Sequence, residues 1–108
     1  MVKDIIARCK ELTIYEKRTL TDEYCEIVFY TKDSMAWERV LVDSLGDAVK
    51  PSKVKPTKEH AQLTEQYGGI HNDQTLFRKE AGGITVIAML WPWQNGTCIT
   101  LKLALLKK

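Results

Sequence analysis

Two titratable side chains stand close together in a segment typical of a turn. His71 and Asp73 lie within Gly69-Ile-His-Asn-Asp73, and loops often carry functional groups because a rigid scaffold presents them. A histidine beside an aspartate suits general acid–base chemistry. A lone histidine in a turn, however, is more often a solvated hydrogen-bonding residue, and no spacing of nucleophile, base and orienting group can be read around it. His71 and Asp73 are therefore a candidate polar site, and a small enzyme acting there is the second alternative for the function.

The cysteines offer the other candidate for catalysis. Cys25 is close in sequence to Glu16 and Arg18, but no nucleophile–base spacing assigns a catalytic residue. Cys9, Cys25 and Cys98 are an odd set without a C-x-x-C pair, which is typical of buried, reduced thiols in the cytoplasm. The histidines and cysteines do not have zinc-ligand spacing, so we expect neither a metal nor a cofactor.

A lysine loop, residues 50–58, is the one compositional break in the chain. Lys50-Pro-Ser-Lys-Val-Lys-Pro-Thr-Lys58 has four lysines, two prolines and no acidic residue, whereas the chain as a whole has a net charge of only +2. The loop therefore carries all of the positive excess in a stiff, extended segment. Lys53, Lys55 and Lys58 are candidates for steering an acidic partner. A nucleic-acid-binding accessory domain that uses this loop is the first alternative for the function.

Two tryptophans stand beside the turn of a predicted hairpin. Trp91-Pro92-Trp93 offers rigid aromatic side chains, and tryptophan is enriched at interface hot spots. The competing interpretation is that both rings complete the core. Together with the lysine loop they give the predicted binding residues Lys53, Lys55, Lys58, Trp91 and Trp93. The leading hypothesis is a small cytoplasmic interaction module without catalysis, which binds a protein partner or forms a homodimer through its sheet.

The hairpin itself is the strongest structural signal in the chain. Two apolar runs, 84–91 and 97–106, flank Asn95-Gly96, and in the second run Ile99, Leu101, Leu103 and Leu105 alternate with other residues. A two-residue turn would place Leu90 opposite Leu101 and Pro92 opposite Ile99. We favour a three-residue loop, 94–96, which places Met89 opposite Leu101 and moves Pro92 to a position that needs no N–H group.

The N-terminal part of the chain predicts a helix and two strands. Apolar residues at helical spacing predict an amphipathic helix over 2–12. Strands over 12–20 and 23–31 follow, with Ile14 opposite Phe29 and Lys17 opposite Glu26 if the turn between them is tight. This register places Glu16 and Arg18 on the core-directed face, either at the solvent-exposed end of the sheet or in a functional site.

Two further helices and one more strand complete the prediction. A helix begins at Asp33 or Ser34, buries Trp37 and ends before Pro51. A short, polar surface helix, 58–67, is capped by Thr57 and closed by Gly68 in the left-handed conformation. A strand over 74–80 then leads into the central hairpin.

These elements predict a single α+β domain over residues 1–108, near the commonest domain size. Its antiparallel sheet contains two N-terminal strands and a three-strand C-terminal meander, with two main helices packed on it and one short surface helix. No apolar run approaches the roughly 18 residues that span a membrane, and the charged N-terminal residues are unlike a signal peptide. We therefore expect no membrane association.

Overall fold

The computed structural model describes residues 2–9 and 11–107, and it has the α+β architecture that the sequence predicts. Five antiparallel strands form one sheet in the order β1-β2-β5-β4-β3. The strands are β1 Glu16–Leu20, β2 Tyr24–Tyr30, β3 Thr75–Ala81, β4 Ile84–Pro92 and β5 Cys98–Lys107. The helices are α1 Val2–Ala7, α2 Ser34–Leu45 and α3 Lys58–Thr64. Within the described part of the chain, no helix is both long enough and apolar enough to cross a membrane.

The main core lies between α1, α2 and one face of the sheet, which we call the helix face. Trp37 of α2 is fully buried, and its ring stacks on Phe29 of β2 with 4.7 Å between the centroids and 9° between the planes. The period-two alternation of β5 is confirmed, because Leu101 and Leu103 are fully buried in this core. The opposite face of the sheet, which we call the open face, carries a second buried cluster that includes Ile87 and Met89, with Tyr67 and Trp91 packed against it.

The β4–β5 hairpin contradicts the predicted three-residue loop. Leu90 pairs with Leu101 and Pro92 with Ile99, as in the register of the two-residue turn. The connection is longer than either prediction, because the Trp93 N–H donates to the Cys98 carbonyl (2.9 Å) and the intervening residues form a turn. Trp93 and Cys98 are thus the hydrogen-bonded pair, which makes Pro92 and Ile99 a non-hydrogen-bonded pair. Pro92 therefore needs no N–H group on this ladder.

The β1–β2 register is also different from the predicted one. Glu16 pairs with Val28 and Lys17 with Ile27, and the register then shifts at a bulge at Arg18 before Thr19 pairs with Glu26. A shift of one residue moves every side chain to the other face of a sheet. Glu16 and Arg18 consequently lie on the open face instead of the core-directed face.

The helices follow their local signals with corrected ends. The N-terminal helix stops at Ala7, short of the predicted range, in which Lys10 lies outside the described residues. Helix α2 ends at Leu45 because Gly46 adopts a φ of 85°, so the chain leaves the helix before Pro51. Helix α3 is confirmed: Thr57 caps it, a 3₁₀ turn over Glu65–Tyr67 extends it, and Gly68 follows with a φ of 100°.

Candidate binding surface

Three aromatic side chains cover the part of the open face above β1, β2 and the start of β5, and we call them the aromatic layer. The ring of Tyr15 contacts Tyr30 edge to face, with 5.3 Å between the centroids, and Trp93 at 6.1 Å. The Trp93 ring is fixed against the sheet because its Nε1–H donates to Thr100 Oγ1 (2.9 Å). Val28, which points to the same face, is fully buried. Half of the Tyr15 surface is exposed (50%), so the aromatic layer covers the sheet and also presents a surface to solvent.

A polar network borders the aromatic layer, and its centre is the carboxylate of Glu26. Arg18 donates through Nε to Glu16 (3.0 Å) and through Nη1 to Glu26 (3.3 Å), while the Tyr24 hydroxyl donates to the other Glu26 oxygen (2.7 Å). The bulge at Arg18 directs its side chain to this face, since the preceding and following residues are in different registers. The network therefore fixes the Arg18 side chain on the same face of the sheet as the aromatic layer.

Electrostatic shifts agree with this arrangement. The Tyr24 hydroxyl, together with Arg18, stabilises the charged form of Glu26 and lowers the pKa of its carboxyl group. Burial, followed by the hydrogen bond to Glu26, raises the pKa of the Tyr24 hydroxyl. At neutral pH the network thus contains an ionised Glu26, a neutral Tyr24 and a charged Arg18.

The two tryptophans that the sequence places in one binding site make different contacts in the structure, although Thr100, the partner of the Trp93 indole, pairs with Trp91 across the hairpin. Trp93 belongs to the aromatic layer, whereas Trp91 lies under the turn that follows α3. The Nζ of Lys102 is 3.5 Å from the Trp91 ring centroid and donates to the Tyr67 carbonyl (2.8 Å). Gly68 leaves no room beside this ring, because an added Cβ would lie 2.5 Å from a Trp91 carbon atom. Trp91 therefore joins the α3 segment to the sheet.

The lysine loop is exposed at Lys53, Lys55 and Lys58, but its first lysine is fully buried. Lys50 Nζ donates to the carbonyls of Pro51, Asn72 and Gln74. Three carbonyl acceptors satisfy the three donors of an ammonium group. Lys50 therefore fastens the lysine loop to the segment before β3, which is at the same end of the sheet as the β4–β5 turn.

The candidate catalytic residues are distributed over separate places. His71 and Asp73 are exposed, and their backbone groups take part in the loop, with the His71 N–H donating to Gln74 Oε1 (2.8 Å). Cys25 is buried on the helix face, so the sheet separates it from Glu16 and Arg18. Burial raises the pKa of the Cys25 thiol to about 11, and the same cause raises that of Cys9 to about 11. These two cysteines are consequently protonated and inert at neutral pH.

The sequence identified some of these side chains as notable but did not place them together in one site. Tyr15 and Tyr30 are recognisable as stacking residues, and Glu16 and Arg18 as charges in an unusual place, but the predicted register put the two sets on opposite faces. Glu26 and Lys102 gave no indication of a site, because charged residues that alternate along a strand are typical of an ordinary solvated face. Tyr24 gave none either, because tyrosine is a common strand residue.

Comparisons with protein-family models, curated proteins and solved structures find no match to this chain. Within the described residues, no group of three or more histidine, cysteine, aspartate or glutamate side chains could hold a metal ion.

Proposed function

We propose that this chain is a non-catalytic protein-binding module, with the cytoplasm as its expected compartment, and that its binding surface is the aromatic layer with Arg18. The observation that carries the proposal is that Tyr15, Tyr30 and Trp93 contact one another on a partly exposed area of the sheet, and that Arg18 is held on the same face by Glu16 and Glu26. Tyrosine, tryptophan and arginine are the residue types that contribute most to binding energy at protein interfaces.

The surface is also organised in advance of binding. The hydrogen bond to Thr100 holds Trp93, and the two carboxylates hold Arg18, so few rotamers remain to be fixed by a partner. Ordering a long side chain at an interface costs about 0.5–1.5 kcal/mol, and this cost has already been met here during folding. The aromatic rings can therefore contribute their desolvation directly to affinity.

Affinity capture from a lysate with matched variants tests the proposal. Tyr15→Lys places a charge in the aromatic layer at a position that is already half exposed. Met35→Lys is the control, because Met35 is 80% exposed on α2, beyond the other face of the sheet. We expect a protein that the wild type and Met35→Lys capture and Tyr15→Lys does not. Equal capture by all three variants would place the binding surface elsewhere.

A second candidate function, single-stranded nucleic acid binding, is favoured by one observation. The lysine loop and the β4–β5 turn that carries Trp93 lie at the same end of the sheet, so lysines and aromatic rings share that end. Such a combination suits phosphate contacts with base stacking. Treating the captured material with nuclease separates the two functions, because a nucleic acid ligand would be lost and would elute at increasing salt.

The enzyme alternative at His71 and Asp73 has less support. Neither residue lines the cavity beside α3. Small-molecule sites are concave and shield most of the ligand surface from water, whereas both of these side chains are exposed in a loop.

A further inference from the structure

A cleft of about 510 Å³ lies between α3, the 3₁₀ turn that follows it and the end of β5. Its apolar lining comes from Leu63, Tyr67 and Leu106, and its polar lining includes the carboxylates of Glu23, Glu59 and Glu65. The residues that line it include no lysine or arginine, although Arg78 reaches Glu59 from outside (2.7 Å). The volume is in the usual range of binding sites. This acidic cleft therefore suits a segment in which basic residues flank an apolar one.

The lysine loop contains such a segment at its tip. Lys53, Val54 and Lys55 are all exposed, and Val54 exposes 46% of its surface. The tip has a defined shape, because the Lys53 N–H donates to the Asn72 carbonyl (2.6 Å) and the Val54 N–H donates to the Pro51 carbonyl (3.2 Å).

The backbone of this tip is unusual. Lys53 has a φ of 69°, and among the described residues it is the one non-glycine residue with a positive φ. This conformation is uncommon for a lysine, and a sparsely populated conformation persists where the surroundings enforce it. The buried ammonium group of Lys50 provides that enforcement at the base of the loop. Val54 is thus presented outward between two lysines by a fixed turn.

We propose that the chain self-associates through these two features, with the loop tip of one copy in the acidic cleft of a second copy. Val54 would contact the apolar lining, and the two lysines would pair with the glutamates at the rim. A twofold axis allows both copies to make the contact reciprocally. The contact does not involve the aromatic layer, so it stands or fails separately from the proposed function. It also differs from a dimer formed through the sheet.

Sedimentation velocity with reciprocal charge reversals tests the contact. One variant, Glu65→Lys, reverses a charge in the cleft, and the other, Lys53→Glu with Lys55→Glu, reverses the loop tip. Asp43→Lys, on the exposed side of α2, is the control for the change of charge in Glu65→Lys. We expect the wild type and the control to dimerise with increasing concentration at low salt, and each reversed variant to lose at least about tenfold in affinity. Circular dichroism confirms that each variant is folded.

An equimolar mixture of the two reversed variants gives the decisive result. The unmodified loop of the first variant matches the unmodified cleft of the second, which restores one of the two reciprocal contacts. We therefore expect the mixture to recover a dimer that neither variant forms alone. A wild type that stays monomeric up to about 1 mM, or a dimer that neither reversal weakens, would overturn the proposal. So would a mixture that remains monomeric while the wild type dimerises.

Discussion

The ammonium group of Lys102 lies 3.5 Å from the ring centroid of Trp91 and donates a hydrogen bond to the backbone carbonyl of Tyr67. The Lys102 side chain thus links strand β5 to the Trp91 ring of β4 and to the end of the α3 segment. Burial lowers the pKa of Lys102, and the opposing effect of Glu26 raises it. The ring and the carbonyl replace part of the hydration that the ammonium group loses on burial.

Lys102→Met keeps the aliphatic stem and removes the charge, so it isolates the contacts of the ammonium group. We expect a loss of about 2–3 kcal/mol in the free energy of unfolding, since a desolvated cation–π contact and a charged hydrogen bond are both lost. Lys17→Met, on the exposed edge strand β1, should change stability by less than about 0.5 kcal/mol. Urea denaturation of both variants measures the difference, and equal values would contradict this role of Lys102.

Lys50→Met tests the fastening of the lysine loop. The change leaves three backbone carbonyls without their buried donor, and we expect it to cost about 3 kcal/mol. Lys55→Met removes an exposed lysine of the same loop and serves as the control. Hydrogen exchange at the N–H groups of Lys53 and Gln74, which donate to the carbonyls of Asn72 and His71, should accelerate only in the Lys50 variant. A cost below about 1 kcal/mol would show that the loop is held by other contacts.

Leu103→Ala tests the core of the central hairpin. Leu103 is fully buried on β5, where it pairs with Cys25 on one side and Ala88 on the other. Removal of such a side chain should cost about 2–5 kcal/mol, because it leaves a cavity in addition to the lost transfer free energy. A thermal melt would show this as a drop of many degrees. A loss below about 1 kcal/mol is inconsistent with the position of this residue.

The Glu26 network predicts a dependence of stability on pH. Hydrogen bonds from Tyr24 and Arg18 lower the pKa of this carboxyl group in the folded state. Its contribution to stability is therefore complete above the ordinary carboxyl pKa of about 4.3 and is lost as the pH falls through the folded value. The stability difference between the wild type and Glu26→Gln should shrink between pH 7 and pH 3 in urea titrations. A constant difference would exclude ionisation of Glu26 as its source.

Local signals in the sequence predicted the elements whose ends are set by one residue. Thr57 as the cap of α3 and Gly68 as its left-handed stop need no information from the rest of the chain, and both are confirmed. The residues of β5 that face the core could also be predicted from the sequence, because apolar residues alternate regularly along this strand. The burial of Lys50 could not be predicted, since it depends on carbonyl groups more than twenty residues away along the chain.

Register was the main source of error. Strand β1 has a single apolar residue, Leu20, and β2 has apolar residues at both parities, so the pattern did not fix their pairing. The bulge at Arg18 adds a shift that composition does not indicate. That one-residue difference hid the network around Glu26. In the hairpin, the four-residue connection changes which pairs exchange hydrogen bonds, and this removes the objection to placing Pro92 opposite Ile99.

The most direct test of the proposed binding surface uses the indole N–H signals of the three tryptophans in a ¹⁵N–¹H correlation spectrum. Trp37 is buried in the main core, Trp91 lies beneath Lys102, and Trp93 belongs to the aromatic layer. On titration with the partner captured by the wild type, we predict that the Trp93 signal shifts or broadens while those of Trp37 and Trp91 stay in place. An unchanged Trp93 signal with the partner bound would contradict the assignment of the aromatic layer as the binding surface.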